Sequence, residues 1–167
     1  MILPDLLAPG LDIVFCGTAV GAESARRRAY YAGPGNAFWP TLAQVGLTPR
    51  RLKPEEYPLL LTFGIGLTDL AKHVSGNDDI LGHADFDSAR LRGLVERYRP
   101  RLLAFTGKRA AQQFTGRQVA YGLLAERIAS TRLFVLTSPS GLACRYWSAE
   151  PWAELARLRR ATRGEGA

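Results

Sequence analysis

Residues 17–21, Gly-Thr-Ala-Val-Gly, stand where the chain has its best opportunity for chemistry. They follow Ile-Val-Phe-Cys at 13–16, a short apolar run that reads as a buried central strand ending at its carboxyl edge. In open α/β sheets ligands bind at that edge, so the turn over 18–21 marks the expected site. Close behind it come Glu23, Ser24, the triplet Arg26, Arg27 and Arg28, the pair Tyr30 and Tyr31, and Asn36. Arginines beside a ligand site favour a polyanionic partner such as nucleic acid, and the net charge of +7 points the same way. The bland reading of that charge is an arginine-rich surface of no special purpose. The triplet is the more informative part because it lies beside the expected site.

Several function classes fit poorly. Gly17 and Gly21 lack the G-x-G-x-x-G spacing of a dinucleotide fingerprint, and no acidic residue follows about 20 positions on. Gly107-Lys108 lacks the upstream glycine of a phosphate-binding P-loop. Two cysteines, Cys16 and Cys144, are read as inert thiols in a reducing compartment, and together with two unclustered histidines they argue against a metal centre. No cofactor is expected. No apolar run approaches the roughly 20 residues of a membrane span and no secretory leader is recognised, so a cytoplasmic protein is expected.

The elements that must position these residues follow from periodicity and punctuation. Residues 1–10 read as an irregular lead-in broken by Pro4 and Pro9. Residues 11–16 form the first strand. Asn36 caps a helix carrying Phe38, Trp39, Leu42 and Val45, and Thr48-Pro49 caps a second helical piece with Pro54, Glu55 and Glu56 in a first turn of its own. Residues 63–70 read as a short strand or turn crossing the site, and 72–87 as a polar surface loop. An amphipathic helix is expected over 87–99, a buried strand over 101–106, a helix from Gly107-Lys108 to about Phe114, a third strand over 133–136 and a last helix over 152–160. Strand–helix alternation argues for a parallel α/β sheet covered on both faces, in one domain over 1–167 with 161–167 frayed.

Several segments in order resemble the mismatch-specific uracil-DNA and thymine-DNA glycosylases of the uracil-DNA glycosylase superfamily. They are LAPGLDIVFCG (7–17), AGPGNAFW (32–39), GLTPRRLKPEE (46–56), GIGLTDL (64–70), FTGKRA (105–110) and PSGL (139–142). The resemblance implies a three-layer α/β/α fold with a central, mainly parallel sheet of four to five strands. It implies a monofunctional enzyme, expected to be a monomer, that flips uracil out of double-stranded DNA, mainly from G·U mismatches, and hydrolyses the N-glycosidic bond. It puts the base pocket at Gly17, Thr18, Ala19, Gly21, Ala22, Ser24, Tyr31 and Asn36, with Tyr31 stacking on the base and Ser24 and the amides near Gly21 and Ala22 reading its polar edge. It puts the DNA-inserting loop at Ser138, Ser140, Gly141, Leu142, Ala143 and Arg145. Leu142 would be the apolar wedge, and Arg145 would hold a phosphate or the orphaned base.

One departure matters. The family usually carries Gly-x-Asn-Pro-Gly, whose asparagine positions the attacking water, and here that asparagine is replaced by Ala19. Either the chemistry is lost or another group supplies it. Cleavage through a cationic sugar calls for a nearby carboxylate, and Asp69 in GIGLTDL is the best candidate, with Glu23 as its rival. Helix capping is the competing reading for Asp69. Asp78, Asp79, Asp85 and Asp87 rank lower, and His73 reads as exposed or as a phosphate contact. Lyase activity is not expected, because no desolvated lysine is evident near the site. The alternatives are an inactive relative that binds damaged or abasic DNA, and an α/β nucleotide-cofactor protein.

Overall fold

Ile13–Val20 forms β1, whose side chains alternate between two apolar layers: Ile13 and Phe15 enter one, Val14 and Cys16 the other. A strand buried on both faces is what the continuous apolar run requires. The computed structural model describes residues 1–76, 81–82 and 85–164. Asp78, Asp79 and the last residues of the tail lie outside the described residues.

The further elements are α1 (Ala22–Arg27), α2 (Phe38–Gln44), a 3₁₀ helix (Pro54–Phe63), β2 (Ile65–Ser75), α3 (Ser88–Tyr98), β3 (Leu102–Phe105) and α4 (Lys108–Thr115). After these come β4 (Gly122–Ile128), β5 (Thr131–Val135), a second 3₁₀ helix (Gly141–Tyr146) and α5 (Glu150–Thr162). The strands form one five-stranded sheet in the order β2-β1-β3-β5-β4, parallel except for the antiparallel edge strand β4. The α2 and α5 residues Phe38, Trp39, Leu42, Trp152 and Leu155 pack on one face, and the α3 and α4 residues Leu91, Val95, Ala110 and Ala111 on the other. The expected α/β/α layering is observed.

The first layer is held by aromatic contacts. Phe15 meets Phe38 edge-on at 5.2 Å and stacks on Trp152 at 5.7 Å. Fully burying each such ring contributes about 1.5–3 kcal/mol. From β1 the chain moves to β2 on one side and then to β3 on the other. The crevice between the carboxyl ends of β1 and β3 is therefore the topological switch point.

Four differences from the sequence reading have physical causes. The expected turn at 18–21 is strand as far as Val20, because β2 runs alongside and pairs Gly17 with Asp69 and Ala19 with Ala71. The segment at 63–70 is no short element: β2 spans 11 residues and keeps Lys72, read as loop, only 3% exposed. Thr48-Pro49 opens no helix; the Thr48 hydroxyl donates to the Arg50 carbonyl, and Lys53 caps the 3₁₀ helix that follows. β4 went unread because its alternation is interrupted by Glu126 and Arg127 at the sheet edge.

Candidate functional site

A cavity of about 1190 Å³ opens over the switch point. Its floor is the end of β1 with Asp69 and Thr106, and its walls are the loops at 30–36, 106–110 and 138–143. Each sequence-nominated base-pocket residue lines it: Gly17, Thr18, Ala19, Gly21, Ala22, Ser24, Tyr31 and Asn36. Asp69 and Glu23 line it too, as do Ser138, Ser140, Gly141, Leu142 and Ala143. Arg145 lies farther along the second 3₁₀ helix, exposed, with its guanidinium 5.4 Å from the Tyr146 ring centre.

Gly17 brings the polar groups of the floor together. A Cβ there would lie 3.1 Å from Asp69 Oδ1 and 3.4 Å from both Thr106 Oγ1 and the Tyr31 hydroxyl. A carboxylate oxygen and two hydroxyls thus converge on the space that the glycine leaves open. Asp69 is 3% exposed, and its other oxygen, Oδ2, accepts from Lys72 Nζ at 3.1 Å. Burial lifts the Asp69 carboxyl above the ordinary carboxylate range, while the charge and hydrogen bond of Lys72 pull it back. Asp69 sits within β2 and caps no helix.

Tyr31 adopts φ 54°, the left-handed region. Its ring stacks on Phe38, 3.9 Å away and 16° from parallel, and the residue lines the cavity. Its hydroxyl shares a 3.0 Å hydrogen bond with Thr106 Oγ1. The residue is half-buried overall, but its hydroxyl is enclosed, and burial followed by the Asp69 charge pushes the phenol well above its ordinary value. Tyr30 is a core residue, donating to the Pro4 carbonyl at 2.9 Å.

The flanking polar residues are committed to the backbone. Ser24 Oγ accepts from the Ala32 amide at 2.8 Å, which anchors the segment bearing Tyr31. Asn36 does not cap α2 as expected, since the N-cap is Ala37; one residue earlier, Asn36 Oδ1 accepts from the Phe38 amide at 2.9 Å and closes an Asx turn at the entry of the helix. Arg26 pairs with Glu23 and Arg27 with Glu55, so two of the three clustered arginines are already engaged. Glu23, bonded to Arg26, is held below its ordinary value. Among the lower-ranked acids, Asp85 accepts from the Gly82 amide and Asp87 caps α3 through the Arg90 amide, and His73 is exposed.

At the rim, the Ala37 amide donates to the Pro139 carbonyl at 2.8 Å. A Cβ on Gly141 would come within 2.7 Å of the Pro34 carbonyl oxygen, so only glycine permits this approach. The Ser140 hydroxyl accepts from the Leu142 amide at 3.2 Å and starts the 3₁₀ helix. Leu142 is 76% exposed.

Sequence reasoning missed Lys72 and Asp5. The expectation that no desolvated lysine lies near the site is overturned: Lys72 is buried directly behind Asp69. Its ammonium also lies 3.2 Å from Asp5 Oδ1 and donates to the Tyr30 hydroxyl at 3.0 Å. Its spacing of three from Asp69 was the only available signal. Cys16 is fully enclosed, and burial followed by the Asp69 charge pushes its thiol well up, whereas Cys144 is exposed. Among the described residues, no helix is long and apolar enough to cross a membrane.

Residues 4–161 match the family model of the uracil DNA glycosylase superfamily. The solution NMR structure of a candidate uracil DNA glycosylase from Methanosarcina acetivorans has the same fold, with a TM-score of 0.64 and 23% identity over 95% of each chain. The chain belongs to the uracil DNA glycosylase superfamily, and that membership supports a DNA glycosylase role with DNA as substrate.

Proposed function

We propose that this member of the uracil DNA glycosylase superfamily is a monofunctional, mismatch-directed uracil-DNA glycosylase in which Asp69 activates the attacking water. The observation that carries this reading is the convergence of Asp69 Oδ1, Thr106 Oγ1 and the Tyr31 hydroxyl over Gly17, beside Ala19, at the floor of the crevice at the switch point. A duplex carrying uracil, chiefly opposite guanine, delivers the base to this crevice. Tyr31 offers the ring face turned away from Phe38 as a stacking surface, and the residues from Gly17 to Ser24 surround the polar edge of the base.

In the chemical step, the bond between the sugar C1′ and the base nitrogen breaks, and the base leaves with the electron pair. The water oxygen bonds to C1′, and its proton passes to Asp69. Before that transfer the carboxylate also stabilises the positive charge that builds on the sugar. Leu142 enters the gap in the stack, which suits its exposure and apolar character, and Arg145 reaches a phosphate or the orphaned base. The protein acts as a monomer.

The test is a panel of duplexes carrying uracil, thymine, hypoxanthine or a substituted uracil opposite each of the four bases, incubated with enzyme and then cleaved at abasic sites with alkali. Excision strongest from G·U is expected. No product from any duplex would reduce the protein to a binder of damaged DNA.

A further inference from the structure

A carboxylate buried at the floor of an apolar crevice tends to take up a proton, and a protonated Asp69 can accept nothing from water. Something must oppose burial. Lys72 does so from behind, with its Nζ 3.1 Å from Asp69 Oδ2. In a regular strand, residues three apart point to opposite faces. The β1–β2 ladder is irregular at this point: Ala19 pairs with Ala71 but Val20 pairs with Ser75, so Lys72, His73 and Val74 are extra residues on β2. A bulge re-aims side chains, and here it accompanies the return of Lys72 toward Asp69.

Lys72 is itself held. Its ammonium donates to Asp69 Oδ2 and to the Tyr30 hydroxyl, and it is ion-paired with Asp5 Oδ1 at 3.2 Å. Asp5 is fixed in turn by the Thr68 hydroxyl, which donates to Oδ1 at 2.6 Å, and by an ion pair with Arg90 from α3. The Ile2 amide donates to the Lys72 carbonyl at 2.9 Å, tying the N-terminal segment to the bulge. This network leaves Oδ1 of Asp69 as the oxygen on the cavity side.

We propose that Lys72 is a positioning residue for excision: its ammonium, wedged between Asp69 and Asp5, keeps the Asp69 carboxylate ionised and turned with Oδ1 toward the substrate. The proposal rests on the reading of Asp69 as the water-activating group. Each element packed around that carboxylate contributes: Lys72 from β2, Asp5 from the N-terminal segment, Arg90 from α3, Cys16 from β1, and the hydroxyls of Tyr30, Tyr31 and Thr106. Burial and Asp5 favour the protonated acid, whereas Lys72 and Arg90 favour the carboxylate. Lys72 and Asp5 therefore act on Asp69 in opposite directions, which gives the idea a signature that general damage to the fold cannot imitate.

The experiment titrates the Asp69 carboxyl by NMR in carboxyl-¹³C-labelled protein, its signal assigned by its loss in Asp69→Asn. Wild type, Lys72→Gln and Asp5→Asn are compared, alongside single-turnover excision of uracil from a G·U duplex across the same pH range. Lys72→Gln should move both the titration and the acid limb of the rate upward by at least about one pH unit, a tenfold loss on the limb that alkaline pH restores. Asp5→Asn should move both downward. An Asp69 titration unchanged in Lys72→Gln, or a rate lowered by the same factor at every pH, overturns the proposal. If Lys72→Gln fails to fold, Asp5→Asn decides alone, and the absence of a downward movement overturns it. Failure of the parent reading looks different: Asp69→Asn would then excise at the wild-type rate, while the NMR titration still reports whether Lys72 governs the carboxyl.

Discussion

At the floor of the cavity, Gly17 and Asp69 face each other across two paired strands, and Asp69 and Thr106 are both bonded to neighbours. At the rim, Leu142 and Tyr146 expose 76% and 68% of their surfaces on a six-residue 3₁₀ helix. The floor residues are fixed before any ligand arrives. The rim residues present apolar surface to solvent. A bond-breaking step needs groups held within fractions of an ångström, which strands supply. Entering a DNA stack needs an apolar side chain in solvent, which a short helix at a loop supplies. The contrast predicts that lesions in the two regions will have separable effects.

The largest effect should come from the floor. Asp69→Asn is expected to slow single-turnover uracil excision by about 10²- to 10⁴-fold with duplex affinity retained. A near-normal rate would end the assignment of Asp69. The same variant should be more stable than wild type at neutral pH. In the folded protein this carboxyl is raised above its ordinary value, so the stability it contributes is complete below the unfolded value and is lost as pH rises through the folded one. Melting curves from acid to neutral pH should show the two proteins converge in acid and Asn pull ahead near neutrality.

At the rim, Leu142→Ala should cost about tenfold to a hundredfold in excision from duplex, the scale of a few kcal/mol per unstacked step, and little from single-stranded uracil DNA. Equal loss on both substrates would remove Leu142 from the role of wedge. Arg145→Ala is a gentler probe. It should lower the salt dependence of duplex binding by about one unit of slope, measured by fluorescence anisotropy. Smallest of all should be Glu23→Gln, at less than about threefold in rate, because its carboxylate is already paired with Arg26 at the surface. A large loss there would shift the water-activating role from β2 to α1.

The same contrast explains what was legible in the sequence. The first and third parallel strands announced themselves because burial on both faces demands continuous apolar runs, as at 13–16 and 102–105. Ser138 to Leu142 and the segment from Tyr31 to Asn36 were found through short motifs that need no tertiary context. Lys72 was hidden because a lysine among polar residues reads as solvated. What buries it is Asp5, 67 positions away, together with a ladder irregularity invisible to periodicity. The convergence over Gly17 needed Thr106, which follows the end of β3 and lies far from Gly17 in sequence.

The contact between Gly141 and Pro34, with the Ala37–Pro139 hydrogen bond beside it, ties the loop at 138–143 to the segment that runs from Tyr31 to the start of α2. In the proposed insertion of Leu142, a push on that side chain would be carried through this contact to Asn36 and the wall of the crevice. Under the proposed function, probing a base pair and making room for its ejected member would become a single stroke, like the two jaws of one clamp, and a side chain larger than hydrogen at residue 141 would uncouple them.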